Sequence, residues 1–372
     1  MGHHAETTDC KAQRVTRCLR TRISGTSEIP IMATNGKAHY SNLQLCGSVW
    51  SCPVCAAKIA EVRRGELRHA VDTHLAGGGR VVMVTLTFPH YKRDKLEVLL
   101  DQFKSALQKL KGGRKYEAFK AAIGYLGSIR AIEVTYGENG WHPHAHELWF
   151  LPPVLDDYDS NTQLQADLLE LWRHAALKAG FPAPSVEHGC HVQDAESAAE
   201  YIAKFGCEPS WEIARELVNA NTKHSRDQKG MTPFDLLRHY LSGETSAPVR
   251  FLANPAQAGQ LFVEYATAFF GTEQLYWSKG MKARFNIAKI SDEEAVQESD
   301  DVAIEITTLN IAQWRSVLYA RYETRGIVLQ IAENGGHAAV HSFISTLKVA
   351  PKSRPKKSKC KPLDSVRAIK RA

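Results

Sequence analysis

The sequence contains no apolar run that approaches the roughly 18 to 20 residues needed to cross a lipid bilayer. Its N-terminus also lacks the apolar stretch of a secretory signal peptide. These two absences exclude an integral membrane protein and predict a soluble intracellular protein with no membrane partner.

A disulfide framework is not expected either, because the eight cysteines are spread over 372 residues without a secretion signal. Three of them nevertheless cluster, at Cys46, Cys52 and Cys55, and the last two form a CxxC knuckle. Three thiolates predict a structural zinc site that needs one more ligand. A pair of buried thiols and a redox CxxC are the alternatives, although no strand precedes the motif as a redox centre would require.

The composition is that of a globular protein, with 44% hydrophobic and 23% charged residues and enough length for two domains. The net charge is +7, and residues 348–372 carry ten basic side chains against one acidic side chain. This basic tail suits a polyanionic partner, but a solvated, disordered tail explains it equally well. Charge alone therefore does not assign nucleic-acid binding.

The order of local patterns predicts an α+β fold with a mainly antiparallel sheet. The β-branched run Arg80–Phe88 predicts a buried strand, and Gly137-Glu138-Asn139-Gly140 between two apolar-rich runs predicts a β-hairpin. Asp94 with Glu97 predicts a capping box at the start of a helix. Further helices are predicted over residues 56–75, 94–112, 163–178 and 195–205, and a further strand over residues 185–193.

The hairpin carries the most informative residues. Alternate residues of a strand share a face, so His142, His144 and His146 lie on one side of the second strand. If Tyr136 pairs with Trp141 across the turn, Glu133 stands opposite His144. Two imidazoles and a carboxylate then converge, which predicts a three-ligand metal site with open positions. These ligand types would accept Mg²⁺ or Mn²⁺ for phosphate chemistry, and also Zn²⁺ or Fe²⁺.

A second signal lies on the helix predicted after the sheet, where Lys204 follows Tyr201 by three residues on the same face. A tyrosine hydroxyl near a metal-polarised phosphodiester can attack phosphorus while an ammonium group neutralises the developing charge. By itself this spacing is ordinary helix decoration.

Several segments together resemble one family. His144-Ala145-His146 within WHPHAHELWF, the preceding VVMVTLTF and the following EYIAKFG resemble, in this order, motifs of the HUH endonucleases, specifically the rolling-circle replication initiators (Rep proteins) of bacterial plasmids. The segment CGSVWSCPVCAAKIAEVRR is similar to the N-terminal cysteine region of one branch. GMTPFDLLRHYL and QLYWSKGMKARF resemble downstream segments, so the likeness spans roughly residues 40–285.

The resemblance implies an HUH-type sheet with His144 and His146 as metal ligands, Tyr201 as the nucleophile and Lys204 as the helix lysine. Glu133 is assigned as the third ligand from the hairpin register. Such enzymes use Mg²⁺ or Mn²⁺ to nick single-stranded or hairpin origin DNA, keep the 5′ end as a phosphotyrosine, and leave a 3′ hydroxyl. The implied partners are the host helicase and polymerase in the bacterial cytoplasm.

The resemblance also suggests Cys18 as the fourth zinc ligand, with His39 and Cys10 as alternatives. One departure concerns termination, because many plasmid Rep proteins carry a glutamate four residues before the nucleophile, where this chain has Ser197. The candidates for the termination base are Asp194, Glu196 and Glu200, of which Asp194 lies closest to the helical face of Tyr201. No second tyrosine stands one turn away, which disfavours a two-tyrosine mechanism.

The change of pattern after Gly206 predicts a mostly helical remainder, with helices over residues 211–218, 233–241, 256–270 and 310–322 and an acidic linker over residues 292–305. The predicted organisation is an N-terminal cysteine segment (1–60), an HUH endonuclease domain (61–206), a helical region (207–290), an acidic linker with a helical C-terminal region (291–347) and a basic tail (348–372).

Two other functions compete with this interpretation. HPHAHEL also resembles the histidine-triad nucleotide hydrolases, which need no metal but favour an apolar residue where Glu147 stands. A non-catalytic zinc-containing DNA-binding protein would make the histidines accidental. Within the HUH superfamily, a transposase or a mobilisation relaxase is a further possibility. The basic positions between Lys104 and Lys120 are candidates for a DNA channel or for a solvated helix end.

Overall fold

The computed structural model describes residues 14–34, 36–153, 161–194, 198, 230–243, 251–297, 303–321 and 323–347. The described chain divides into two compact units. One contains the residues up to Ser48 together with those from Val296 onward, and the other contains Val49–Ala295. The segments predicted from the sequence were separated by function. The division into compact units does not test their boundaries.

The larger unit, Val49–Ala295, is built on an antiparallel sheet, as the sequence predicted. Its strands are β3 (Arg80–Leu86), β4 (Gly127–Gly137), β5 (Gly140–Leu151), β6 (Cys190–Gln193), β7 (Gly230–Met231) and β8 (Tyr276–Trp277). The spatial order is β6-β3-β5-β4-β7, and β8 pairs with β4 near the other end of that strand, at Ile129 and Arg130. Strand β5, with the three histidines, is therefore central, which keeps its register fixed from both sides.

Helices cover both faces of this sheet. They are α1 (Pro53–Ala76), α2 (Leu96–Lys111), α3 (Arg114–Ala122), α4 (Asn161–Lys178), α5 (Pro233–Ser242), α6 (Pro255–Ala268), α7 (Met281–Arg284) and α8 (Asp292–Ala295). The apolar stripe of α1 packs with Leu148 and Phe150 of β5 in one buried cluster. On the opposite face, Trp149 meets the rings of Tyr116 and Phe119 from α3.

The described part of the smaller unit contains three strands, two α-helices and a short 3-10 helix (Arg14–Arg17). Strand β1 (Ile29–Thr34) pairs antiparallel with β2 (Lys37–Tyr40) and with β9 (Ile304–Leu309), while α9 (Ile311–Tyr319) and α10 (Thr324–Thr346) pack on them. The helices agree with the predicted helical C-terminal region. Strand β9 was missed, because its partner lies some 270 residues earlier in the chain and leaves no local signal.

The acidic stretch at residues 292–305 was predicted as a solvated linker, but helix α8 and the start of β9 lie within it. The predicted strand over 185–193 is confirmed only from Cys190 onward. The two helices predicted over residues 195–205 and 211–218 lie outside the described residues, apart from Ala198. Within the described residues, no helix combines the length and the apolar character that crossing a membrane requires.

Candidate metal centre

The β4–β5 hairpin has the predicted register. Tyr136 pairs with Trp141 and Glu133 pairs with His144, with Glu138 and Asn139 forming the turn. The positive φ of Gly140 (82°) suits the turn, because only glycine adopts it without strain. The turn and the two-residue period of the strands therefore place Glu133 and the histidines on the same face.

The three predicted ligands converge. The Nε2 atoms of His144 and His146 each lie 3.7 Å from Oε2 of Glu133, and the three ligand atoms all lie within 4.8 Å of one another. Donor atoms about 2.0 to 2.2 Å from a shared ion lie roughly 3 to 4 Å apart. The two distances from Glu133 fall within this range, so the three side chains can serve as protein ligands of one divalent ion, with further positions left for water or substrate.

Hydrogen bonds at the far side of each imidazole orient the rings. Nδ1 of His144 donates to the backbone oxygen of His142 at 3.3 Å, since a carbonyl only accepts. An imidazole that binds a metal through Nε2 carries its proton on Nδ1, so this hydrogen bond favours the metal-binding tautomer. Nδ1 of His146 lies 2.9 Å from Oγ1 of Thr85 on the neighbouring strand. Thr85 was not singled out from the sequence, because its contact depends on the pairing of β3 with β5.

The protonation states also suit metal binding. Burial, opposed by Glu133 and reinforced by His144, lowers the pKa of His146 to about 4. Burial together with His144 and His90 lowers the pKa of His142 to about 4. Both rings are therefore neutral near pH 7, and a neutral imidazole is the form that coordinates a metal.

Two further histidines extend the row. The ring centroids of His144 and His142 are 5.1 Å apart, and those of His142 and His90 are 4.8 Å apart and nearly parallel. Burial lowers the pKa of His90 as well. Four imidazoles, those of His146, His144, His142 and His90, thus form a continuous histidine row that leads away from the three ligands.

Glu147 lies on the opposite face of the hairpin and is fully buried. Its carboxylate accepts hydrogen bonds from Lys111 at 2.9 Å and from the Trp149 indole at 2.8 Å, and Arg130 lies 3.5 Å away. Glu147 is charged and paired with basic side chains. It therefore does not fit the position where the histidine-triad hydrolases have an apolar residue. Lys111 belongs to α2, so the predicted basic stretch from Lys104 to Lys120 begins on a helix that covers the face away from the ligands.

Tyr201, Lys204, Glu196 and Glu200 lie outside the described residues. Two neighbouring residues, Asp194 and Ala198, are described. The amide of Ala198 donates to the carbonyl of Asp194 at 3.1 Å, the spacing of one helical turn. Ala198 is fully buried in the cluster that includes Ala131 and Ile129, which share a face of β4 with Glu133. Asp194 itself is exposed.

The cysteines are paired within each unit. In the smaller unit the sulfur atoms of Cys18 and Cys46 lie within 4.8 Å of each other, and in the larger unit those of Cys52 and Cys55 do as well. All four thiols are buried and reduced. Cys52 is the N-cap residue of α1, although its side chain makes no capping hydrogen bond. Of the alternatives to Cys18, His39 lies in β2 opposite Met32, and Cys10 is outside the described residues.

Comparison with known proteins agrees with the motifs. Residues 38–324 match a family model described as "Replication protein". A "Protein rep" of Streptomyces lividans is 33% identical over 52% of this chain and 53% of its own length, and a "Protein rep" of Lentilactobacillus hilgardii is 27% identical over 37% and 43%. A "Neomycin resistance protein" of Streptomyces cyanogenus is 34% identical over 30% and 32%.

The match therefore spans about half the length of the Streptomyces lividans relative and less of the other two. No solved structure matches the chain. Since the family model covers most of the chain, and the resemblance read from the sequence motifs points the same way, this chain belongs to the replication protein (Rep) family.

Proposed function

We propose that the protein initiates rolling-circle replication of a plasmid by nicking and rejoining single-stranded origin DNA, with Tyr201 as the nucleophile and a divalent metal ion at Glu133, His144 and His146. The convergence of these three ligands carries the proposal. Family membership supports the replication role. An HUH-type sheet is the fold that the proposal requires, and the central position of β5 in an antiparallel sheet is consistent with it.

The chemistry is a transesterification. The phenolic oxygen of Tyr201 loses its proton and forms a bond to phosphorus, while the bond from phosphorus to the 3′ oxygen breaks and that oxygen takes up a proton. The products are a 5′-phosphotyrosine and a 3′ hydroxyl. Because one phosphoester replaces another, the reverse reaction rejoins the strand.

A bound Mg²⁺ or Mn²⁺ ion would supply Lewis-acid polarisation of the scissile phosphate. Glu133 contributes negative charge at this site, and His144 and His146 hold their Nε2 atoms toward it. The ammonium group of Lys204 would offset charge that develops on the phosphoryl oxygens. For termination, Asp194, Glu196 and Glu200 are the candidate bases.

The position of Ala198 supports the role of Tyr201. Ala198 packs on the sheet face that also carries Glu133 and the histidines, and Tyr201 follows it by three residues. The described chain therefore reaches the face of the proposed metal ligands three residues before Tyr201.

We also infer a structural zinc ion with Cys18, Cys46, Cys52 and Cys55 as its thiolate ligands. This proposal comes from the sequence, in which a CxxC motif, Cys52 and Cys55, follows Cys46 by six residues. Within each unit, the two thiols of a pair are buried and lie within 4.8 Å of each other, which is close enough for both to bind one metal ion. Zinc at this position would serve folding rather than the transesterification.

The direct test is a cleavage assay with single-stranded oligonucleotides from the origin and Mn²⁺. We expect a covalent protein–DNA adduct with the wild type, none with Tyr201→Phe, and strongly reduced formation with His146→Ala. The variant Tyr276→Phe is a matched control, because Tyr276 lies in β8 at the edge of the sheet and is half exposed.

An adduct of unchanged yield in Tyr201→Phe would remove Tyr201 from its role. Cleavage that persists without divalent metal would contradict the metal site and favour the histidine-triad alternative. DNA binding without cleavage under any divalent metal would favour the non-catalytic zinc protein.

A further inference from the structure

A short loop that follows β3 carries an unusual set of exposed side chains. It consists of His90, Tyr91, Lys92, Arg93, Asp94 and Lys95, and we call these residues the basic loop. The three basic side chains are exposed, and the ring of Tyr91 is 61% exposed. An aromatic ring among cations on a protein surface is the combination that binds single-stranded nucleic acid, since bases stack on the ring and phosphates meet the charges.

The basic loop is held in a defined conformation. The amide of Tyr91 donates to Oδ2 of Asp94 at 2.8 Å, and the amide of Asp94 donates back to the Tyr91 carbonyl at 3.0 Å. Asp94 is thereby used within the loop. The sequence predicted that Asp94 caps the next helix, and this prediction is wrong. The N-cap residue of α2 is Lys95, whose side chain makes no capping hydrogen bond.

The loop is also fastened to the turn of the histidine hairpin. Nδ1 of His90 donates to the carbonyl of Asn139 at 3.1 Å. A Cβ atom at Gly140 would lie only 2.9 Å from the Cα atom of Lys92, so the absence of a side chain there allows the two backbones to touch. The basic loop therefore has a fixed position relative to β5.

That position places the loop at the end of the histidine row. The ring of His90 stacks on His142, which neighbours the metal ligand His144. Successive ring centroids are about 5 Å apart, so the loop begins two ring spacings from the ligand. A DNA strand with its scissile phosphate at the metal centre would pass over the histidine row and reach the basic loop within a few nucleotides.

We propose that the basic loop binds the single-stranded DNA that flanks the scissile phosphate, with Lys92, Arg93 and Lys95 on the phosphates and Tyr91 stacked on a base. This inference rests on the proposed function for the identity of the strand. It adds a substrate-binding segment that is separate from the metal ligands and the nucleophile.

The test measures binding of a short fluorescein-labelled single-stranded DNA in buffer without divalent metal, over a series of salt concentrations. In the triple variant Lys92→Gln, Arg93→Gln, Lys95→Gln we expect at least tenfold weaker binding at low salt. The slope of log K against log salt should be less steep than in the wild type by about 2. Three phosphate contacts are lost, and each single-strand phosphate contact contributes about 0.7.

A matched control removes the same charge elsewhere. Lys104, Lys109 and Lys115 are exposed on α2 and α3, which cover the other face of the sheet. Changing these three residues to glutamine should leave the slope unchanged. Equal losses in the two triple variants would overturn the proposal, because they would show that only net charge matters.

Tyr91 provides an independent readout. Tyr91→Ala should weaken binding about tenfold, whereas Tyr91→Phe, which keeps the ring, should bind like the wild type. Wild-type affinity in Tyr91→Ala would remove the stacking role. An equal loss of duplex affinity in the Lys92, Arg93, Lys95 variant would overturn the assignment to single strands.

These outcomes can be separated from failure of the proposed function. If the wild type cleaves DNA with Mn²⁺ but the loop variants bind normally, only the loop assignment fails. If the wild type binds single strands through the loop and never cleaves them, the nicking activity fails while the loop assignment holds.

Discussion

At the scale of single residues, the proposed metal centre depends on atoms that would not touch the metal. The carbonyl of His142 fixes the tautomer of His144, because it can only accept a hydrogen bond. Thr85 holds the other ligand ring, but a hydroxyl can donate or accept. If Nε2 of His146 binds the metal, Nδ1 carries the proton and the Thr85 hydroxyl accepts the hydrogen bond. Thr85 then acts through His146, as a positioning residue.

We predict that Thr85→Val, which keeps the shape of the side chain and removes the hydroxyl, lowers Mn²⁺ affinity by about 10- to 100-fold. Titration of Mn²⁺ followed by electron paramagnetic resonance measures this directly, without reference to cleavage. Thr87→Val is the matched control, since the Thr87 hydroxyl donates to the His188 carbonyl instead. Equal affinities in the two variants would show that Thr85 does not position His146.

At the scale of elements, the two faces of the β4–β5 hairpin carry different groups. One face gathers the metal ligands, while the other buries a charged group, Glu147, against Lys111 and Arg130. Burial alone would raise the pKa of Glu147, but the two cations outweigh it and hold that pKa below its usual range. The stabilisation is thus fully present above the ordinary glutamate pKa and is lost as pH falls through the lowered pKa.

We predict that Glu147→Gln lowers the free energy of unfolding by about 3 kcal/mol, because it removes the fully buried counter-charge of the partly buried cations Lys111 and Arg130. Denaturant unfolding at neutral pH measures the change. The control Glu117→Gln removes an exposed partner of Lys120 and should cost less than about 1 kcal/mol. If both variants unfold alike, the Glu147 cluster does not stabilise the sheet.

The register of the hairpin is the structural feature that the sequence predicted most completely. A two-residue turn fixes the pairing of the strands it joins, so the pairing of Glu133 with His144 follows from the sequence between residues 133 and 146. The contact between Thr85 and His146 joins strands 61 residues apart. Nothing local determines that pairing, and the sequence therefore did not reveal it.

At the scale of the whole molecule, the ligand types distinguish the proposed structural zinc site from the proposed catalytic metal site. Soft thiolates favour Zn²⁺, whereas the imidazole and carboxylate set accepts Mg²⁺ or Mn²⁺. The lone buried Cys190 differs from the two cysteine pairs. Burial raises the pKa of its thiol to about 12, so it stays protonated and is a poor metal ligand.

We predict that the purified protein retains about one zinc ion per chain, and that Cys55→Ser loses it together with thermal stability. Elemental analysis after dialysis gives the zinc content, and calorimetry gives the melting temperature. Cys190→Ser should keep the metal. A wild-type protein that contains no zinc after expression with zinc in the medium would contradict the assignment.

The sequence by itself determined the hairpin, its three candidate ligands and the family, because these depend on a turn, on the alternation of a strand and on motifs in a fixed order. The tertiary structure decided that Thr85 supports His146, that His90 and the basic loop lie against the hairpin turn, and that β9 joins the N-terminal strands. These contacts join residues distant in the chain, where packing and strand pairing select the partners and local patterns carry no record of them.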